Sequence, residues 1–186
     1  LLCSFGAAGL TANRIEAALD RIQAALPEGP YAFNLIHSPS EEALERNAVE
    51  LYLKRGVKTV EASAFLALTP HIVRYRAAGL RLDAQGQIEI GHKVIAKVSR
   101  REVAAQFLEP APASLLQPLV AQGLISAQQA QMAQRVPMCD ALTVEADSGG
   151  HTDNRPLVAL LPSLIELRDE LQAKHGYAQV VHIGGA

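Results

Sequence analysis

The chain has 186 residues, 49% of them hydrophobic, and a formal net charge of −2. That length can bury a substantial core, and the composition excludes a disordered or fibrous chain. No basic stripe points to nucleic acid, and no apolar run approaches the length of a membrane span. Cys3 and Cys139 lie far apart and neither belongs to a C-x-x-C pair, so neither a disulfide framework nor a metal site is expected, and a reducing, cytoplasmic setting is the default.

Residues 1–5 read as a short buried strand with a loop over 6–10. Thr11 is placed to cap a helix whose apolar face is Ile15, Ala18, Leu19, Ile22 and Leu26, ended by Pro27 and Pro30. Residues 31–36 form the next expected strand. Pro39-Ser40 introduces a helix with Leu44, Ala48, Leu51 and Tyr52 on its inner side, closed by Gly56. A third strand covers 59–64. Thr69-Pro70 then opens a helix in cap-then-proline order, and Gly79 stops it. Alternating apolar and polar residues at 80–83 and 87–90, around Gln85-Gly86, read as a β-hairpin inserted before a strand at 94–98.

Ser99-Arg100-Arg101-Glu102 has the spacing of a capping box, with Val103, Ala104, Phe107 and Leu108 as the buried face behind it. Residues 115–120 form a further helix, and Ser126-x-x-Gln129 caps another that runs to Arg135. One crossover needs fewer helices than this, so the segment 100–135 is read as a substrate lid in preference to outer padding. A fifth strand begins at Ala141, an amphipathic helix spans 157–174 through Leu157, Leu160, Leu161, Leu164, Leu167 and Leu171, and the last strand ends in Gly184-Gly185.

The chain begins without methionine and stops directly after that strand, so it reads as a fragment of a longer protein. Repeated strand-then-helix units argue for a parallel α/β fold. Gly-Gly pairs follow the fifth and sixth strands and none follows the first. This favours a (β/α)8 TIM barrel, truncated at both ends, over an open dinucleotide-binding sheet. The corner at 143–156 collects Glu145, Asp147, Gly149, Gly150 and His151 between a strand and a helix opened by Pro156. Free backbone N–H groups there suit an anion such as phosphate, and a purely structural βα turn is the alternative.

The motifs Asn34-Leu35-Ile36-His37-Ser38-Pro39, Val60-Glu61-Ala62-Ser63-Ala64-Phe65, Ala96-Lys97-Val98-Ser99-Arg100 and Glu145-Ala146-Asp147-Ser148-Gly149-Gly150-His151-Thr152-Asp153-Asn154-Arg155-Pro156 carry a resemblance. They resemble the flavin-dependent enoyl reductases of polyunsaturated fatty acid synthases and trans-acyltransferase polyketide synthases, a branch of the nitronate monooxygenase-like FMN barrels. The resemblance implies FMN at the strand C-termini, NADPH or NADH as reductant, and an enoyl thioester on an acyl carrier protein as substrate. It places His151 as the catalytic acid/base or oxyanion-stabilising group. Asn34, Lys97 and Glu145 are placed beside the flavin ring, and Ser148, Gly149, Gly150, Gly184 and Gly185 around its phosphate.

Lys97 also reads as a buried lysine paired with Glu61 or Glu145, and both readings hold together. His37 has two readings, lining the same face after its strand or, as is commoner for a loop histidine, solvated; His71, His92 and His175 are expected on the surface, and His182 in the core. A homodimer is a further expectation. Two alternatives are oxidation of a nitronate on the same flavin and a non-catalytic docking role within a synthase.

Overall fold

The computed structural model describes residues 2–146 and 155–185. Its elements follow the chain as β1 (Cys3–Phe5), α1 (Ala12–Ala25), β2 (Tyr31–Ile36), α2 (Glu42–Lys54), β3 (Thr59–Ser63) and α3 (Pro70–Ala78). A hairpin of β4 (Leu80–Leu82) and β5 (Ile88–Ile90) precedes β6 (Lys93–Val98). The helices α4 (Arg101–Leu108), α5 (Ala113–Ala121) and α6 (Ala127–Ala133) lead to β7 (Ala141–Val144), and α7 (Leu157–His175) leads to β8 (His182–Gly185).

Six strands form one parallel sheet in the order β1-β2-β3-β6-β7-β8. Every crossover therefore advances one strand in the same direction. A doubly wound sheet reverses direction at a switch point, whereas unidirectional winding belongs to a (β/α)8 barrel. The described strands make an arc of such a barrel, with β1 and β8 at its edges. Among them, β4 and β5 alone leave this plan, pairing antiparallel with each other.

Side chains alternate across each strand. Phe33, Leu35, Val60, Ala62, Val94, Ala96, Leu142 and Val144 face the helices and are buried. They meet Leu19, Val49, Tyr52, Val103, Phe107, Leu160 and Leu164 in one core. The other face carries Asn34, Glu61, Lys97 and Thr143, and these are only partly buried.

Helix ends depart from the sequence reading in instructive ways. Ser126 and Gln129 do form a reciprocal capping box on α6, and the Thr69 hydroxyl accepts from the Ile72 N–H at the start of α3. The N-cap of α4 is instead Arg100, with no side-chain cap bond, because Ser99 is buried at the strand end and lies one residue too early. Thr11 occupies the α1 N-cap position but makes no side-chain cap bond.

On α2 the expected inner face holds at Tyr52, with Ala48 and Leu51 packed against the core, and departs at Leu44. Leu44 is 47% exposed, and the buried residues are Glu45, Val49 and Tyr52. Glu45 takes an inward place in the first turns because His37 and Thr69 supply polar partners there. Gly79 ends α3, but its φ of −88° is open to any residue. Glycine is required there by close approach: a Cβ at this position would lie 2.4 Å from the backbone nitrogen of His92.

Candidate functional site

The polar residues of the inner face meet at the C-terminal ends of β2, β3, β6 and β7. Parallel register sets Asn34 opposite Glu61, and Lys97 opposite Thr143, so these side chains share one face. The Asn34 amide donates to the Ser63 hydroxyl at 2.8 Å and to the Glu61 carbonyl at 3.3 Å. The Ser63 hydroxyl in turn donates to the Glu61 carboxylate at 3.5 Å. Lys97 Nζ stands 3.5 Å from both Glu61 Oε1 and Glu145 Oε1. The result is a continuous polar file, Asn34–Ser63–Glu61–Lys97–Glu145, crossing four strands.

A cation held between two carboxylates keeps its ammonium position without being sealed from solvent: the Lys97 side chain is 27% exposed. The same ends frame a small, shallow cleft of about 20 Å³. Lys97, Glu145, Ser99 and Arg100 supply its polar lining, and Phe65, Leu66 and Val103 its apolar wall. The segment 100–135 reaches this cleft through Arg100 and Val103, while α5 and α6 pack on α3 and α6 also touches β4.

Asn34, Lys97 and Glu145 are thus brought together as the sequence reading required. Gly184 pairs beside Thr143 on the inner face, and the space where its side chain would be is open. Gly185 faces the helices: a Cβ there would lie 2.8 Å from the Leu157 side chain, so this glycine serves helix packing. Ser148, Gly149, Gly150 and His151 lie outside the described residues. Lys97 as cation, the Asn34 Oδ1 as acceptor and the open inner face at Gly184 are compatible with a flat, electron-rich ring system such as a flavin.

The other histidines depart from expectation. His37 is not solvated: its Nδ1 lies 2.8 Å from Glu45 Oε2, its ring stacks on Phe65 at 5.3 Å, and Glu45 is 1% exposed. Thr69 donates its hydroxyl to the same carboxylate. The sequence signal was an acid on the apolar face of α2, next to a leucine that periodicity alone would have turned inward.

His92 is half-buried, stacked on Tyr75 and within 2.9 Å of its carbonyl, and burial holds its imidazole below the ordinary value. His71 faces Glu42 and is 14% exposed, and His175 stacks on Tyr177. His182 is exposed, because it lies on the open inner face of the edge strand β8.

At the opposite end of the strands a wider trough of about 1070 Å³ lies between the hairpin and residues 176–182. Its size does not make it the reactive site. Its ionic pair, Arg76 and Asp140, is committed to structure. Arg76 is 1% exposed and donates to the Pro137 carbonyl through Nε and Nη2 at 3.1 and 2.9 Å, to the His92 carbonyl at 3.0 Å, and to Asp140 at 2.6 Å. Asp140 also accepts from the Val94 N–H at 2.8 Å. In barrel folds chemistry gathers at the C-terminal ends and stability at the other. No described helix is long and apolar enough to cross a membrane.

Comparison with known proteins agrees with this geometry. The chain is 55% identical over 177 residues to a polyunsaturated fatty acid synthase subunit of Thraustochytrium sp., covering 95% of this chain and 12% of that protein. It is 41% identical over 183 residues to the polyketide biosynthesis protein PksE of Bacillus subtilis, covering 98% and 24%. The chain thus spans a quarter or less of the curated relatives it matches.

Among solved structures, the enoyl reductase domain of MlnA from the macrolactin biosynthesis cluster of Bacillus amyloliquefaciens superposes with a TM-score of 0.93 at 37% identity, over 100% of this chain and 42% of that one. A FabK mutant from Thermotoga maritima shares the fold, with a TM-score of 0.53 at 16% identity over 98% of this chain and 52% of that one. No protein-family model matches. These relatives bear out the resemblance drawn from the motifs.

Proposed function

With this chain placed among the polyunsaturated fatty acid synthase and polyketide synthase proteins akin to the MlnA enoyl reductase domain, we propose that it forms the flavin- and substrate-facing part of an enoyl reductase. The substrate is the 2,3 double bond of an enoyl thioester on an acyl carrier protein, with NADPH or NADH as reductant. The observation that carries the reading is the polar file from Asn34 to Glu145 at the strand C-termini, with Lys97 fixed at its centre.

FMN, when bound, supplies the two-electron chemistry that passes hydride from the nicotinamide to the β-carbon of the thioester. Asn34 and Lys97 would hold its ring edge, and Ser148, Gly149, Gly150 and Gly184 would lie about its phosphate. Lys97 would stabilise negative charge at that edge, and Glu61 and Glu145 hold its ammonium in place so that little reorganisation would be needed. The Asn34 amide nitrogen is committed to the Ser63 hydroxyl and the Glu61 carbonyl, which fixes its Oδ1 as an acceptor for a ring N–H. His151 is assigned the proton for the α-carbon, a task suited to an imidazole near neutral pH. An acyl carrier protein is the carrier partner, and a homodimer the proposed assembly.

Anaerobic titration of the FMN-reconstituted full chain tests this. NADPH should bleach the flavin absorbance, and an enoyl thioester should restore it. Bleaching by a nitronate that admitted oxygen reverses, with no recovery on adding the enoyl thioester, would move the assignment to nitronate oxidation. A protein that takes up no FMN would leave only a docking role.

A further inference from the structure

The loop after β3 is built unlike an ordinary connection. Ala64, at φ 62°, is the one non-glycine residue with positive φ among the described residues. A left-handed alanine persists only where its surroundings impose it, and such positions gather at functional sites. Here the surroundings are plain. The His37 N–H donates to the Ser63 carbonyl at 3.0 Å, just before Ala64. Phe65 is clamped between the His37 ring at 5.3 Å and the edge of Phe107 at 5.9 Å. The His37 ring is itself fixed by buried Glu45. Beyond them, the Leu68 N–H donates to Gln106 Oε1 at 3.0 Å.

The product of this construction is the position of Leu66. It is 54% exposed, yet it lines the cleft whose polar side holds Lys97 and Glu145. An isolated exposed leucine needs no explanation. A leucine displayed beside a polar floor, on a loop held from both flanks in an unfavourable backbone conformation, has a specific match in ligand chemistry. That ligand has a polar carbonyl attached to an apolar chain.

We infer that the loop 64–68 is the wall that receives the acyl chain of the thioester, with Leu66 as the residue that reads its length. This rests on the enoyl reductase reading above. The thioester carbonyl lies toward the Lys97 side, and the carbons beyond C3 pass along Leu66 and Phe65. A short chain ends before it meets Leu66, and a long one does not.

The full chain, reconstituted with FMN, is compared as wild type and Leu66→Ala. The probes are N-acetylcysteamine thioesters of 2-butenoate and 2-dodecenoate, with the dodecanoyl thioester as a non-reacting ligand. Removing about 40 Å² of apolar contact should raise KM for the dodecenoyl substrate, and Kd for the dodecanoyl ligand, about fivefold. The butenoyl KM and the rate of flavin bleaching by NADPH should not change.

Equal effects on both chain lengths, or on neither, overturn the wall and leave the reductase standing. If the wild type reduces neither thioester but Leu66→Ala still weakens dodecanoyl binding, the reductase reading falls and the wall stands. A wild type that binds no dodecanoyl thioester removes the wall, whatever its activity.

Discussion

The two ends of the sheet use the same kinds of charge to opposite effect. At the N-terminal end, Arg76 is sealed at 1% exposure and its donors are taken by Asp140 and two carbonyls. At the C-terminal end, Lys97 sits 3.5 Å from each of two carboxylates and stays 27% exposed. A saturated, buried cation contributes to a unique fold and has nothing left for a ligand. A cation restrained by two acids but open to solvent keeps bonding capacity. Saturation, more than charge or cavity size, separates the structural end from the chemical one.

The comparison is best broken by substitutions confined to one end. Arg76→Ala strands Asp140 and the carbonyls of His92 and Pro137, and should cost about 3–5 kcal/mol of unfolding free energy in urea titration. FMN affinity of the molecules that remain folded should be unchanged; a lost cofactor at normal stability would reverse the assignment of the two ends. Gly79→Ala acts at the same end by overpacking against His92, and should cost about 1–3 kcal/mol in the same assay.

Lys97→Met should show the opposite pattern. FMN affinity should fall by about tenfold, or about 1.4 kcal/mol, measured by flavin fluorescence. The loss of stability should be smaller than for Arg76→Ala, because Lys97 is 27% exposed and Arg76 only 1%. Equal loss of stability and affinity would make Lys97 another Arg76.

The smallest effect is a pH dependence at the structural end. Burial depresses the His92 imidazole, so once the pH falls below about 6.5 the unfolded chain binds a proton that the folded chain resists. Stability present above that pH should therefore decline on acidification toward the lower folded value. His92→Gln should flatten this slope in thermal melts taken between about pH 7.5 and 5.5, a window set by the direction of the shift.

Much of this was legible along the chain. Alternation placed β2 at residues 31–36, the sequence pair Thr69-Pro70 located the start of α3, and the leucine spacing of α7 marked its buried side. Asn34, Lys97 and Glu145 were legible through the resemblance of their motifs to the flavin-dependent enoyl reductases, not through the strand pattern. On α2 the inward turn of Glu45 in place of Leu44 was missed because periodicity weighs a leucine above an acid. It cannot know that His37 and Thr69 wait inside to satisfy the acid. Arg76 was invisible for the same reason, since its partners lie 16 to 64 residues away.

Local pattern and motif were enough to determine the order of strands and helices, the parallel α/β class and the residues worth testing, because these depend on backbone propensity and the side chain's own chemistry. Only the tertiary structure decided which charges are saturated and which remain available. It also decided which glycine is needed for packing and where Ala64 displays Leu66. Those outcomes depend on distances between segments remote in sequence, and on water excluded from one end of the sheet and admitted at the other.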